Sequence, residues 1–380
     1  MTATALTPPP ASTSPPAPPP GQHPVPPPPR APRRRRVVAF AVSLGLLVSS
    51  TIGAAFLPTP YLTLRPGMVR PVTDQILVEG VESHPPEHSI AYTTVSVGRA
   101  TLLEALVGWL DDDVDVVPEE QIRGGRDAEE SRRYNAQLMD TSKLVATVVA
   151  LERLGYDAEV RTTGAVVRQI APDTPAAEVL ELDDVIVAVD DEPIDDLDDL
   201  RRLLQVGGPG ATHRLTVERP PGGDVTVDLD VTTAPAPDDP ERAIIGVVVE
   251  DRIVGVDLPF EVLIDSGTVG GPSAGLAFTL ALLDVLTPGE LTGGHRVATT
   301  GTIALDGTVG PVGGAAQKAV GVRNAGYEVF LVPHAEVDEV RAVVGDDLTV
   351  IGVGTLDEAL EALESLGGDV RSLEGAAAGS

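Results

Sequence analysis

The chain has no cysteine and almost no lysine. Without cysteine among 380 residues, disulfides, thiolate metal sites and cysteine nucleophiles are excluded together. Lysine occurs only at positions 143 and 318, so nearly all of the 27 cationic residues are arginine. Aromatic residues make up 3%, and the packed cores that 42% hydrophobic residues permit must therefore be built from Val, Leu, Ile and Ala. Acidic residues are missing entirely before Asp74; from there onward 57 acids face 20 cations, a charge of −37. A field of that sign repels phosphate backbones and argues against a nucleic-acid partner. The length suggests about two to three domains.

The N-terminal segment differs in kind from the rest. Thirteen of the 35 prolines fall between Pro8 and Pro29 among Ala, Ser, Thr, Gly and Gln. That composition cannot bury enough apolar surface to offset its ordering entropy, so residues 1–36 are expected to be a disordered tail ending in the cluster Arg33–Arg36. Val37–Leu57 is an uncharged run of 21 residues. As a helix it spans about 32 Å, enough to cross a bilayer. It exceeds the about 7 to 15 residues of a signal-peptide core, which favours an anchor over a cleaved leader. The preceding arginines place the tail in the cytoplasm and residues 59–380 outside, giving a single-pass protein of the cell membrane.

The remainder reads as α+β and multidomain. Residues 59–158 form a strand-rich α+β region, with strands expected around Gln75–Glu79 and Ile90–Val97 and helices over Ala100–Leu110 and Ser131–Leu154. His84-Pro85-Pro86-Glu87-His88 spells H-x-x-E-H, which in inverted zinc peptidases sets two histidines one helical turn apart. Two prolines forbid that turn, and no metal or other cofactor is expected.

Residues 160–232 carry Gly164-Ala165-Val166-Val167, then Ala171-Pro172-Asp173-Thr174-Pro175-Ala176-Ala177, then Leu182-Asp183-Asp184-Val185-Ile186. This pattern resembles a bacterial protease-associated PDZ domain, with Asp183 where the family usually has glycine and Thr174 where serine is common. The resemblance implies that an extended peptide adds as a strand beside Gly164–Val167. Residues 233–241 read as a Pro-rich linker.

In the C-terminal domain, residues 242–368, Gly270-Gly271-Pro272-Ser273-Ala274-Gly275 runs directly into the apolar segment Leu276–Leu286. A serine there stands at a helix N-terminus, where unpaired amides and the helix dipole favour an oxyanion. The amides near Gly271 and Ser273 are the expected oxyanion donors. By itself the motif is equally a serine N-cap. Lys318 lies among small residues in Gly310-Pro311-Val312-Gly313-Gly314-Ala315-Ala316-Gln317-Lys318. Desolvation there lowers an amine's pKa toward the neutral form that accepts a proton, a role closed to arginine.

These two motifs, with Thr299-Thr300-Gly301-Thr302 between them and 45 positions separating Ser273 from Lys318, resemble the proteolytic domain of Lon peptidases. That resemblance implies Ser273 as nucleophile, Lys318 as general base and Thr300 as a hydrogen-bond partner of the lysine. Gly270 stands in place of an acidic residue common in the family, and Thr302 in place of a glutamate. Neither lysine follows a glycine as a Walker motif requires, so no ATP is expected. The whole arrangement looks like the membrane-anchored PDZ-plus-Lon-domain serine peptidases of Gram-positive bacteria. It implies an endopeptidase acting on protein or peptide substrates, membrane or secreted, with a ring-shaped homo-oligomer by analogy. The alternative is a non-catalytic adaptor of the same fold that binds membrane-protein termini. Residues 369–380 read as a flexible tail.

Overall fold

A computed structural model of the chain describes residues 33–373 apart from 112, 125, 220–224 and 238. Residues 1–32 of the expected tail and the last seven residues lie outside the described ones, while Arg33–Arg36, expected in the tail, open a helix. The chain divides into a short unit ending at Ala54 and a folded body from Ala55. The first unit holds helix α1 (Arg33–Phe56), whose stretch Val37–Phe56 has a mean hydropathy of 2.1 over 20 residues. By length and composition it is able to cross a membrane. It stops at Phe56, just before Pro58 starts a strand.

The body begins with β1 (Pro58–Pro71), β2 (Ile76–Glu79), β3 (Ala91–Thr101), α2 (Leu102–Gly108), β4 (Asp115–Pro118), α3 (Glu119–Arg123) and the long α4 (Ala128–Arg153). Helices α2 and α4 both start on capping boxes, Thr101 with Glu104 and Asp127 with Glu130, each of which satisfies otherwise orphaned amides. Next come β5 (Glu159–Ile170), β6 (Val185–Val189), β7 (Glu192–Pro193), α5 (Leu197–Leu204), β8 (Thr212–Arg219) and β9 (Val225–Thr232). A hairpin of β10 (Ala234–Pro235) and β11 (Ala243–Ile244) leads to β12 (Val247–Asp257) and β13 (Glu261–Ile264). The chain ends with α6 (Gly275–Leu286), β14 (Val297–Thr299), β15 (Thr302–Ile303), β16 (Val309–Gly310), α7 (Ala315–Asn324), β17 (Val329–Pro333), α8 (Val337–Val344), β18 (Thr349–Val353) and α9 (Leu356–Ser365).

One sheet, in the order β18-β17-β14-β3-β1-β4, unites the two ends of the body. Its C-terminal strands β14, β17 and β18 are parallel, and β14 pairs in parallel with β3 from the N-terminal region. Alternation along these strands sends Tyr92 and Leu331 to one face and Ala91, Phe330 and Val332 to the other. The first face is covered by α4, α6 and α9, and the second by α7 and α8. Every residue of α6 is buried, which explains why its sequence is apolar but for Thr279 and Asp284. At 12 residues it is a core helix, too short for a bilayer.

The boundaries expected from the sequence are corrected by this topology. Residues 59–158 are not a separate region; they supply three strands and a covering helix to the same layered body as the C-terminal segment. The PDZ-like unit is inserted between those halves. Its sheet runs β12-β5-β6-β8-β9, so residues 247–257, expected within the C-terminal domain, belong to the inserted unit. Residues 233–241 are no loose linker either, since Ala236 is buried beside the β10–β11 hairpin. The final tail starts later than expected, because residues 370–373 form a helical turn that buries Leu373.

Candidate active site

Ser273 sits in the turn immediately before α6, partly exposed, with Ala274 as the N-cap residue. Thr300 follows β14 and is fully buried, and Lys318 occupies the middle of α7, 3% exposed. Three elements distant in sequence are held together by a small set of bonds. The Ser273 carbonyl accepts from the Gly301 amide at 3.0 Å, and the Leu276 amide donates to the Gly301 carbonyl at 3.1 Å. These lock the start of α6 to the loop after β14. The Thr300 hydroxyl then works in both directions, donating to the Ser273 carbonyl at 3.1 Å and accepting from Lys318 Nζ at 3.1 Å. No hydrogen bond joins Ser273 Oγ to Lys318 Nζ directly among the described residues. Apo sites commonly hold such contacts open.

Burial pulls the Lys318 amine down to about 8, against the opposing pull of the Glu336 carboxylate. Glu336 is itself buried, in the short helical turn after β17. Its Oε1 accepts from the Val312 amide at 3.1 Å, while among the described residues its Oε2 has no hydrogen-bond partner, and neither does Gln317 Oε1 beside the lysine. A lysine with a folded-state pKa near 8 is substantially neutral at mildly alkaline pH, which gives it the lone pair a general base needs.

The serine turn is gripped from outside its own domain sequence. The Asn135 carbonyl of α4 accepts from the Gly271 amide at 2.7 Å, and Ser142 Oγ, also on α4, donates to the Pro272 carbonyl at 3.0 Å. Gly270 lies so close to α4 that a Cβ there would stand 2.9 Å from Asn135 Cβ. A side chain at that position would force the turn or α4 to shift. The expectation that Gly271 donates to an oxyanion is corrected: its amide is committed to Asn135. The Ser273 and Ala274 amides have no acceptor among the described residues, and they are the free donors at the helix start.

The placement of the peptide edge is also corrected. Gly164, Ala165, Val166 and Val167 lie on β5, an interior strand. Ala165 and Val166 pair with Ile186 and Val185 of β6, and with Asp251 and Glu250 of β12 on the other side. No backbone edge is open there. The edge strand on that side is β12, with α5 alongside it: the Leu197 amide at the start of α5 donates to Asp251 of β12 at 2.8 Å.

Asp183 has a left-handed backbone, φ 68°, where related domains use glycine. Its carboxylate reaches α4 and the segment before it, bonding Tyr134 at 2.8 Å and Arg126 at 2.5 Å, and also pairs with Arg168 of β5 at 3.1 Å. Arg126 also lies over the Tyr134 ring at 4.0 Å. Burial, followed by the bond to Asp183, pushes the Tyr134 phenol up to about 12, so it stays a donor. Between α4 and the inserted sheet lies a cavity of about 660 Å³, bordered by Arg133, Tyr134, Leu138 and Thr141 on one side and by Arg252 and Ile253 on the other.

The histidines do not join this site. His295 pairs with Glu328 and His334 with Glu358 at the surface. His84 and His88 lie in a loop, with His88 bonded to Glu290 at 2.7 Å. The residues that sequence reasoning missed are Asn135, Ser142 and Glu336. The first two sit on a helix more than 130 positions from the serine, and nothing local marks them.

The fold and the site define a serine-type peptidase domain into which a second, smaller sheet domain is inserted. Residues 261–365 match the family model of the Lon protease (S16) C-terminal proteolytic domain, and residues 152–233 match that of the PDZ domain. The chain thus carries a PDZ domain and a Lon-type proteolytic domain and is related to bacterial Lon proteases. Lon protease 1 of Sorangium cellulosum is 36% identical over 116 residues, covering 30% of this chain and 14% of that protein. Lon protease of Campylobacter concisus is 35% identical over 95 residues, covering 24% and 12%. The similarity therefore spans only a small part of those relatives' length. Among solved structures, the PDZ domain of the SdrC-like protein from Listeria monocytogenes aligns with 24% of this chain and 92% of its own, at 21% identity and a TM-score of 0.21.

Proposed function

We propose that this chain is an ATP-independent serine endopeptidase, anchored in the cell membrane by α1 with its tail cytoplasmic and its folded body outside. The observation that carries the reading is the Lys318–Thr300–Ser273 chain of hydrogen bonds around a desolvated amine. Neutral Lys318 takes the proton of Ser273 Oγ as that oxygen attacks a peptide carbonyl carbon. The oxyanion is held by the free amides of Ser273 and Ala274. The lysinium then gives its proton to the leaving amine as the C–N bond breaks, leaving an acyl-serine. Water attacks the ester, its proton passes to Lys318, and the serine leaves reprotonated.

The inserted unit receives substrate at its open edge. An extended peptide adds antiparallel or parallel to β12, between that strand and α5. The cavity beside α4 continues from there, because Leu138 and Thr141 on its wall share the helix with Asn135 and Ser142, which hold the serine turn. Substrates are protein or peptide chains, membrane or secreted.

Hydrolysis of an unfolded fluorogenic protein by the purified full chain without nucleotide tests the proposal. Ser273→Ala and Lys318→Arg are each expected to abolish turnover while circular dichroism stays unchanged. Turnover that requires ATP, or survives Ser273→Ala, contradicts it.

A further inference from the structure

The short helix α2 and the turn after it leave large apolar side chains in the open. Leu106 and Val107 are about half exposed, Trp109 is 59% exposed and Leu110 is 88% exposed. The helix turns its small residues inward instead: Ala105 and Gly108 are buried, and Gly108 packs against Val114 and Val116. Trp109 is the single tryptophan of the chain, and the Tyr61 ring meets it edge-on at 6.1 Å. A cluster of this kind on a strongly acidic protein marks a surface that something covers.

Where the cluster is tied down identifies the cover. The Leu102 amide, first in α2, donates to the carbonyl of Leu57 at 2.8 Å, and Leu57 is the residue directly after α1. Leu57 is itself 56% exposed. Wherever the end of the apolar helix goes, α2 is held beside the residue that follows it. Tryptophan and tyrosine concentrate at the headgroup level of bilayers, with leucine just beneath. Asp111 and Asp113 come directly after Leu110, with Asp111 Oδ1 accepting from the Asp113 amide at 3.1 Å, and these carboxylates belong in water. Apolar insertion is therefore shallow and stops at Leu110.

We propose that Leu106, Val107, Trp109 and Leu110 form an interfacial foot that rests the folded body on the lipid surface at the end of α1. The occupant is the lipid bilayer itself, and the inference builds on the membrane-anchor reading above. The foot limits how the body tilts, which a lone helix followed by one residue would not do.

Trp109 is a built-in probe. The full chain is reconstituted into phosphatidylcholine vesicles, with lipids brominated either near the headgroup end of the acyl chains or near their tips. Tryptophan emission is expected to fall by roughly half or more with the shallow bromines, and by less with the deep ones. Leu110→Glu, at a position already in the open, is expected to relieve the shallow quenching while the chain stays in the vesicles. Chain that resists alkaline extraction but shows unquenched emission overturns the foot and leaves the anchor standing. So does a Trp109 shielded by a second copy, seen as unquenched emission that changes with protein density in the membrane. Chain released by alkali overturns both readings.

Discussion

Lys318 Nζ donates to the hydroxyl of Thr300, and that hydroxyl passes its own proton toward the backbone carbonyl of Ser273. One side chain thus orients the proposed base and fixes the backbone that carries the nucleophile. The bond to Thr300 uses one N–H of the amine and leaves its lone pair free to face a serine proton.

Thr300→Val removes both bonds at nearly constant volume. Loss of a buried hydrogen bond of this kind is worth about 1 to 3 kcal/mol, so kcat is expected to drop by roughly ten- to a hundredfold. Thr300→Ser keeps the hydroxyl and should restore most of the rate. Steady-state kinetics on the two variants compare them directly.

The reaction's pH dependence follows from the neutral lysine. Below a pKa of about 8 the base is protonated, so kcat/KM should rise about tenfold per pH unit and level off above it. Glu336 favours the protonated form, and Glu336→Gln should therefore move this limb to lower pH. A variant that only loosens the Val312 turn would alter the amplitude and leave the limb in place.

Gly270→Asp restores the acidic residue that related domains carry, in a place where α4 leaves no room for it. The turn must shift, and a displacement of about 1 Å at a nucleophile is enough to cost on the order of a hundredfold in rate. The expected result is a folded protein with severely reduced kcat. Wild-type turnover in this variant would mean that the Asn135 contact does not position Ser273.

Asp183→Ala strips a shared acceptor from Arg126, Arg168 and Tyr134 at the join between the inserted unit and α4. Arg168 keeps Glu250 as a partner, so the loss falls mainly on Arg126 and is expected to cost about 2 kcal/mol. Tyr134→Phe should cost only about 1 kcal/mol, because a neutral donor is lost while the ion pairs remain. Urea unfolding of both variants provides the comparison.

Local signals in the sequence mark the two residues proposed as the catalytic pair. Ser273 stands in a glycine-rich turn before an apolar run, and Lys318 is a rare lysine among small residues; both are properties of ten-residue windows. The long apolar helix and the C-terminal end of α4 before Gly155 are of the same kind, whereas α4 starts three residues before the expected Ser131, on the capping box of Asp127 and Glu130. What escaped were relations between distant segments. That β3 lies beside β14 depends on strand pairing across about 200 positions, which periodicity does not encode. The β5 strand has the sequence of a peptide-binding edge, yet β12 returns after the hairpin to cover it. Nothing local marks Glu336, and only the bond its carboxylate accepts from the Val312 amide, in the segment before α7, brings it near the lysine.

The central claim is that Lys318 activates Ser273. Its most direct measurement is labelling of the full chain in detergent by a fluorophosphonate, with the modified residue located by mass spectrometry. The account predicts a single adduct on Ser273 in the wild type, and its loss in Lys318→Arg as well as in Ser273→Ala. An adduct on Ser273 that forms at the wild-type rate in Lys318→Arg would contradict it.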